Sequence, residues 1–299
     1  MQGLLNRFQP PADALDVRSA QLADRAAIYH LTENSYRVHF NLDWWTFDSW
    51  LYEDRPSDAI WLAYLEQELV GLLLAPFDDS PALWLRSIAI ANSYSADPIL
   101  TALVRQARSA VLAQGVDQFV VLGHPEWLAQ VTRRLDFVRH TEVVTLRKSS
   151  RELPLFAGSA LAHLRPATPL DIPAIVTNDH AAFESIWWHS VASIAHILKS
   201  VSQFIVAEID DRVVGHAFSD LYSGQGHLIR LVVHPAFQHQ GIGEQLLAET
   251  LRYQIERDAY PFTLNTQVDN VASQALYNRY GYRPLGRPVR VMRYALKRA

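Results

Sequence analysis

Apolar positions along the second half of the chain alternate between two spacings. Gln203–Ile209 and Arg212–Tyr222 are apolar runs hinged on Asp210-Asp211, which predicts a β-hairpin. The turn Ser223-Gly224-Gln225-Gly226 leads into a third run, His227–His234. From Gly241 to Arg257 the period lengthens. Leu247, Leu251 and Ile255 recur every fourth residue, the spacing of one helix face. A strand is predicted over Phe262–Val268 and a helix over Val271–Tyr280, closed by Gly281 as a left-handed cap. Ahead of the hairpin, Ala160–Pro166 reads as a strand, Leu170–Phe183 as a helix opened by Thr168 and Asp171, and Ser190–Val201 as a second helix. Tyr282 onward and Val289–Leu296 read as two closing strands.

The first half repeats this order. Strands are predicted near residues 15–19, 59–66, 68–76, 83–90, 117–123 and 141–147, and helices near 22–36, 97–114 and 126–135. Landmarks recur with it. Trp44-Trp45 returns as Trp187-Trp188, Arg86-Ser87-Ile88 as Arg230-Leu231-Val232, and Leu135-Asp136-Phe137 as Tyr280-Gly281-Tyr282, at separations of 143, 144 and 145 residues. A nearly constant offset predicts a duplicated domain, and a length of 299 residues suits two domains. The polar stretch Ser149–Ser159 reads as the linker. Domains are therefore expected at 1–152 and 160–299. The expected fold class is α/β in the α+β sense: two tandem domains, each a mostly antiparallel twisted sheet flanked by helices.

The chemistry concentrates where the strand ending at Val233 meets the helix at Gly241. Gln238-His239-Gln240-Gly241-Ile242-Gly243 joins them. The first turn of a helix has unpaired N–H groups and the positive end of the dipole, so this junction suits an anion. The two glycines let the anion approach without meeting a Cβ. The P-loop signature is absent, and Leu246 stands where a dinucleotide fingerprint needs its third glycine. What remains is V-x-P-x-x-Q-x-x-G-x-G after a strand. It resembles the acyl-CoA pyrophosphate loop of the GNAT superfamily of N-acetyltransferases. A tight turn that binds nothing, or one that binds a different anion, is the alternative at this point.

A second motif follows in the order the family has it. Val268–Tyr282 supplies Asn270, Ala272, Ala275, Leu276, Tyr277, Gly281 and Tyr282, and is similar to the family's N-x-x-A-x-x-L-Y-x-x-x-G-[FY]. Asn270 and Tyr277 are seven residues apart, close to two turns, so they share a helix face. The element order of each half also resembles one GNAT domain. The resemblance implies direct acyl transfer from acetyl-CoA to an amine. Backbone groups of Leu231, Val232 and Val233 would pair with the pantetheine arm. Gln238, His239, Gln240, Gly241, Ile242, Gly243 and Glu244 would form the pyrophosphate loop. Asn270 would bind the pantetheine or acyl end, and Tyr277 would serve the departing sulfur as acid.

Reference pKa values limit that acid role. With tyrosine near 10 and a thiol near 8.5, full protonation of a thiolate is uphill by about 2 kcal/mol, so a hydrogen bond to the sulfur serves as well. Freeing an amine's lone pair at neutral pH costs about 4.6 kcal/mol, which calls for a base. Many relatives have a glutamate five residues before the motif asparagine, where this chain has Asn265. His227, at the start of its strand, is the expected substitute; Glu184 and His189 are further candidates. Glu184, Trp187 and Trp188 are expected to line an acceptor pocket with apolar walls and one anion.

The same offset sets Tyr94-Ser95-Ala96-Asp97-Pro98-Ile99 against the loop of the second half. Both glycines are gone, Asp97 brings negative charge, and Pro98 removes a donor. Thr132 and Pro125 stand against Tyr277 and Asn270. The first domain is expected to be a degenerate, non-catalytic copy.

Composition narrows the classes. The net charge of -4 and the lack of a basic stripe argue against a nucleic-acid partner. There is no cysteine, which removes disulfides, thiolate catalysis and a Cys-bound acyl intermediate. The eight histidines of the second half have no metal-ligand spacing, so no metal is expected. Met1–Arg7 lacks a signal-peptide core, and the longest apolar stretch, Leu69–Phe77, is too short to cross a bilayer. A cytoplasmic protein without membrane partners is expected, a monomer or homodimer acting on a small-molecule or peptide amine. The competing expectation is a non-catalytic CoA-binding or regulatory module.

Overall fold

A computed structural model describes residues 8–41, 59–77, 79–123, 125–154 and 162–296. The chain forms two compact units. One comprises Met1–His140 and Arg290–Ala299, the other Thr141–Val289.

The first unit contains β1 (Leu15–Ser19), α1 (Arg25–Asn34), β2 (Arg37–Phe40), β3 (Ile60–Leu65), β4 (Glu68–Leu74), β5 (Ala82–Trp84), β6 (Ser87–Ile90), α2 (Ala96–Val111), β7 (Gln118–Leu122) and α3 (Glu126–Arg134). An antiparallel sheet runs in the order β1-β3-β4-β6-β2. β5 pairs with β7 in parallel. Ile99, Leu100, Leu103 and Ala107 of α2 pack with Leu73, Ile88 and Ile90, while Ile28 and Leu31 of α1 pack with Leu62, Leu72 and Ala89. Helices on both faces explain why β3 and β4 are nearly continuous apolar runs.

The second unit contains the greater part of β8 (Val138–Lys148), β9 (His163–Pro166), α4 (Ile172–Ala182), α5 (Val191–Ser200), β10 (Gln203–Ile209), β11 (Arg212–Tyr222), β12 (Gln225–Val233), α6 (Ile242–Glu256), β13 (Phe262–Gln267), α7 (Val271–Arg279) and the beginning of β14 (Arg283–Ala295). Its strands run β8-β13-β12-β11-β10-β9. Leu246, Leu247 and Leu251 of α6 pack with Leu228, Val233, Tyr277 and Tyr280.

Most expected elements are present, and four differences carry physical content. The run at 83–90 is split into β5 and β6, with Leu85 and Arg86 between them turning to different partners, Val120 and Leu74. The two closing strands are one, β14, because Pro284 and Pro288 fall in its exposed part and remove donors without preventing extended backbone. β2 was not expected, since four residues of mixed polarity after a helix leave no periodic signal. Trp44-Trp45 lies outside the described residues, as do Ala160 and part of the expected linker.

The fourth difference concerns boundaries. β13 pairs over its whole length with β8, from Phe262↔Lys148 to Gln267↔Val143. The end of β14 pairs with β7, from Val291↔Leu122 to Ala295↔Gln118. Each half of the chain thus hands its last strand to the other. The compact units accordingly divide elsewhere than at 152 and 160.

One small device occurs in both halves. Arg18 forks onto Asp24 at 2.8 and 2.7 Å while Asp24 accepts the Gln21 N–H at 2.8 Å. Arg165 forks onto Asp171 at 2.8 and 2.8 Å while Asp171 accepts the Thr168 N–H at 2.8 Å. Both close a capping box. The arginine hydrogen bonds, outweighing burial, hold both carboxyls down at about 2.

A depressed carboxylate pKa contributes stability that is complete above the unfolded value near 3.9 and is lost as pH falls toward 2. Asp171→Asn is therefore expected to lower unfolding stability at pH 7 by on the order of 1–2 kcal/mol, discounted for partial solvent screening. The deficit should shrink between about pH 4 and 2, as read from urea midpoints across that range.

Candidate active site

The site begins with a bend in β12. Along one edge β12 pairs with β11 as Gly215↔Val233, His216↔Val232, Ala217↔Leu231 and Phe218↔Arg230, then shifts to Ser219↔Leu228. Ile229 is the extra residue of a β-bulge, which bends the strand. Along the other edge, parallel pairing with β13 is confined, among the described residues, to Gly226↔Phe262, His227↔Thr263 and Leu228↔Leu264. β13 continues on β8 instead. Beyond Leu228 the two strands part, and the edge formed by Leu231, Val232 and Val233 lies along the resulting wedge.

The loop that follows leads into α6. Gln238 folds back and donates from Nε2 to the Val233 carbonyl at 3.0 Å, so its side chain fixes the loop. His239 and Gly241 both adopt left-handed backbone, at φ 62° and 84°, which costs glycine nothing and histidine about 1 kcal/mol or more. Gly241 is the N-cap, its carbonyl accepting from Gln245 N at 3.0 Å, and it brings no capping side chain. The N–H groups of Ile242, Gly243 and Glu244 have no acceptor within the helix. A Cβ built on Gly243 would meet only ordinary contacts, the nearest Leu231 Cδ2 at 3.6 Å. Internal packing does not demand glycine there; a ligand resting on the backbone would. Glu244 is turned aside, accepting from Arg279 and the Tyr280 hydroxyl at 3.3 Å each.

α7 brings the second motif beside this loop, with Leu276 packed in the same core as Leu231 and Ile242. Asn270 is its N-cap, accepting the Ser273 N–H at 3.2 Å, which leaves its amide N–H groups for another partner. Tyr277 is buried, edge-on to Tyr282 at 5.9 Å. Burial, partly offset by a hydrogen bond with Ser273, pushes its hydroxyl up to about 12. Transfer of its proton to a thiolate near 8.5 is then uphill by about 5 kcal/mol. The phenol can donate a hydrogen bond to sulfur far more readily than it can give the proton up.

His227 sits at the closed end of the wedge, its Nδ1 2.8 Å from Thr263 Oγ1. The Thr263 hydroxyl donates to the Gly226 carbonyl at 3.3 Å, and a hydroxyl has one proton. Where that hydroxyl proton is committed to Gly226, Nδ1 of His227 is the donor of the pair. Asn265 accepts from Thr145 Oγ1 of β8 at 2.8 Å; it is held as an acceptor and has no proton-accepting chemistry.

The turn between α4 and α5 carries Glu184, Trp187 and Trp188, and it is stitched down. Trp188 donates from its indole to the Phe183 carbonyl at 2.7 Å and stacks on His180 at 4.2 Å. His180 contacts the His189 carbonyl at 3.0 Å. Beneath lies a pair that sequence reasoning passed over. Asp179, fully buried, takes Arg230 of β12 at 2.6 Å. Arg230 also donates to the Trp187 carbonyl at 2.8 Å and covers the Phe183 ring at 3.7 Å. Asp179 accepts the His189 N–H at 3.1 Å, and His189 Nδ1 lies 3.6 Å away. Burial alone would raise the Asp179 carboxyl, but the Arg230 charge and the His189 bond hold it well below the usual carboxylate range. His216, fully buried beside them, is pushed down to about 3 by burial and is neutral. The pair therefore ties the double-tryptophan turn to the bend of β12. A buried charge on a helix otherwise rich in apolar residues was the available signal.

Replacing Asp179 by Asn strands the buried Arg230 charge. A loss of about 3–5 kcal/mol in unfolding free energy is expected, measured by urea titration. The double variant Asp179→Asn, Arg230→Met should recover part of it.

Comparison with known proteins bears on this geometry. Residues 169–282 match the family described as Acetyltransferase (GNAT) family. A protein of Methanocaldococcus jannaschii named an uncharacterized N-acetyltransferase is 40% identical over 82 residues, 27% of this chain and 52% of that protein. The match therefore spans about half of that relative's length. A Bacillus subtilis protein, provisionally named a ribosomal-protein alanine N-acetyltransferase, is 22% identical over 116 residues, 39% of this chain and 77% of its own. Over nearly the whole chain the fold is similar to a GCN5-related N-acetyltransferase from Sphaerobacter thermophilus, with TM-score 0.64 and 14% identity covering 96% and 97% of the two chains. It is likewise similar to a tandem GNAT protein from the clavulanic acid biosynthesis pathway, with TM-score 0.62 and 13% identity covering 95% and 99%. The segment that carries the wedge, the glycine loop and the tyrosine helix is thus the part of the chain that matches the GNAT family of acetyltransferases.

Proposed function

We propose that the second unit is an acetyl-CoA-dependent N-acetyltransferase acting on a primary amine of a small molecule or a peptide N-terminus. The observation that carries this reading is the wedge beside β12 opening onto the bare N-terminus of α6. Leu231, Val232 and Val233 offer backbone groups to the extended pantetheine arm, as a sheet edge takes an added strand. The N–H groups from His239 to Glu244, with Gln238 bracing the loop, receive the pyrophosphate. Asn270 offers its amide to the pantetheine or acyl end. When bound, acetyl-CoA supplies a thioester whose acyl carbon is open to attack by an amine.

The chain's own groups then handle protons. His227 Nε2 accepts the proton lost by the amine, directly or through water, and the Tyr277 hydroxyl stabilises the departing sulfur by donating a hydrogen bond. Glu184, Trp187 and Trp188 border the acceptor, which would meet apolar surface and one carboxylate. The Bacillus subtilis relative's name favours a peptide amine among such acceptors, although identity there is 22%. Asn265, held by Thr145 where a carboxylate base is usual, favours a second reading: a module that binds CoA without turnover.

Thiol release from acetyl-CoA against a panel of amines and peptides separates the two readings. CoA binding without turnover on any acceptor would leave only the second. Under the first, Tyr277→Phe should cut kcat about 100-fold or more while CoA affinity, read by calorimetry, changes less than about threefold. His227→Ala should lower kcat by about 100-fold with the same small change in CoA binding; an equal fall in affinity would remove it as the base.

A further inference from the structure

The two units solve the same strand-edge problem in opposite ways. Each parallel pair of the second unit, Gly226↔Phe262, His227↔Thr263 and Leu228↔Leu264, has a counterpart 144 residues earlier in Ala82↔Gln118, Leu83↔Phe119 and Trp84↔Val120. The wedge therefore begins at the same place in both. By that offset Leu231, Val232 and Val233 fall on Ser87, Ile88 and Ala89; the pairing with the neighbouring strand, Gly71↔Ile90 against Gly215↔Val233, shifts this by one residue. All four positions of β6 pair on their far edge with β2: Phe40↔Ser87, His39↔Ile88, Val38↔Ala89 and Arg37↔Ile90. In the first unit a strand of the chain itself lies along the edge that in the second unit runs along the wedge.

The loop after β6 is altered to match. Arg37, buried, donates through Nη2 to the carbonyls of Ala91, Asn92 and Tyr94 at 2.8, 3.0 and 2.6 Å. This loop turns carbonyl oxygens toward a cation, where an anion site would turn N–H groups outward. One of its N–H groups is also taken, Ser95 donating to the Phe8 carbonyl at 2.8 Å. Asp97, paired with Arg134, and Pro98 open α2. The polarity of the loop is thus reversed as well as its edge filled.

We infer that β2 is a built-in occupant of the acyl-donor slot of the first unit, so that this unit binds no acyl-CoA and the chain holds one donor per molecule. The inference rests on the reading of the second unit given above as to what the slot is for. It makes the first unit closed to the donor by its own backbone.

Calorimetry of the full chain with CoA, joined to amide hydrogen exchange, tests this. One CoA per chain is expected. Exchange should slow across 229–245 and stay unchanged across 36–40 and 87–98. Gly243→Asp, placed where a Cβ meets only ordinary contacts, adds a carboxylate to the donor loop and should weaken binding more than tenfold, with no second site remaining. Two CoA per chain, or CoA-dependent protection of 87–98 in either protein, overturns the inference. If no CoA binds at all, the donor site proposed for the second unit falls and the stoichiometry of one donor per chain falls with it; one CoA per chain with protection across 87–98 instead of 229–245 overturns the closure of the first unit while an acyl-CoA site remains.

Discussion

A strand edge enclosed within a sheet must place its N–H and carbonyl groups on some partner, and both units of this chain are organised around one such edge. In the second unit the bulge at Ile229 parts β12 from β13, and α6 starts at the far end of the opening with its own donors unpaired. Strand edge, loop and helix terminus then present one continuous line of backbone groups. The side chains nearby are arranged so as not to compete for it. Glu244 turns onto Arg279 and Tyr280, and the Asn270 carbonyl oxygen caps its own helix. Under the proposed reading, recognition of an extended acyl donor would need little more than this backbone.

The opposite face of β12 is built from charge. Asp179 and Arg230 are both buried and satisfy each other, and Arg230 also holds the Trp187 carbonyl. The bend that opens the wedge and the double-tryptophan turn are thereby linked through one side chain. The cost of burying the two ions is offset only while both are present. Tyr277 is buried in the core on which α6 rests, and burial raises its hydroxyl to about 12.

The fold was largely legible because its elements differ in period: Leu247, Leu251 and Ile255 mark α6, and the apolar runs around Asp210-Asp211 mark the hairpin. The two candidate-site motifs were legible for a related reason, since Gly241 in left-handed backbone and Asn270 at a helix N-cap are residues that backbone geometry selects. What escaped was long-range. Nothing local in Val138–Lys148 or Arg283–Ala295 says that each strand belongs with the other half of the chain. Arg37–Phe40 is a strand only because β6 offers it an edge. Asp179 was missed because one acidic residue in a helix says nothing of the arginine some fifty positions later that makes it affordable.

The exchanged strands set the order in which this protein can assemble. β7 and the end of β14 are separated by roughly 170 residues, so their pairing has a high contact order and a large loop-closure cost. During synthesis the first unit emerges with β7 lacking one neighbour. It retains that exposed edge until the whole second unit has been made. β8, by contrast, is made ahead of β13 and waits for it. Neither half can finish as an independent folding unit, and the later-made half completes the sheet of the earlier. A chain of this topology links maturation of its first unit to the production of its second.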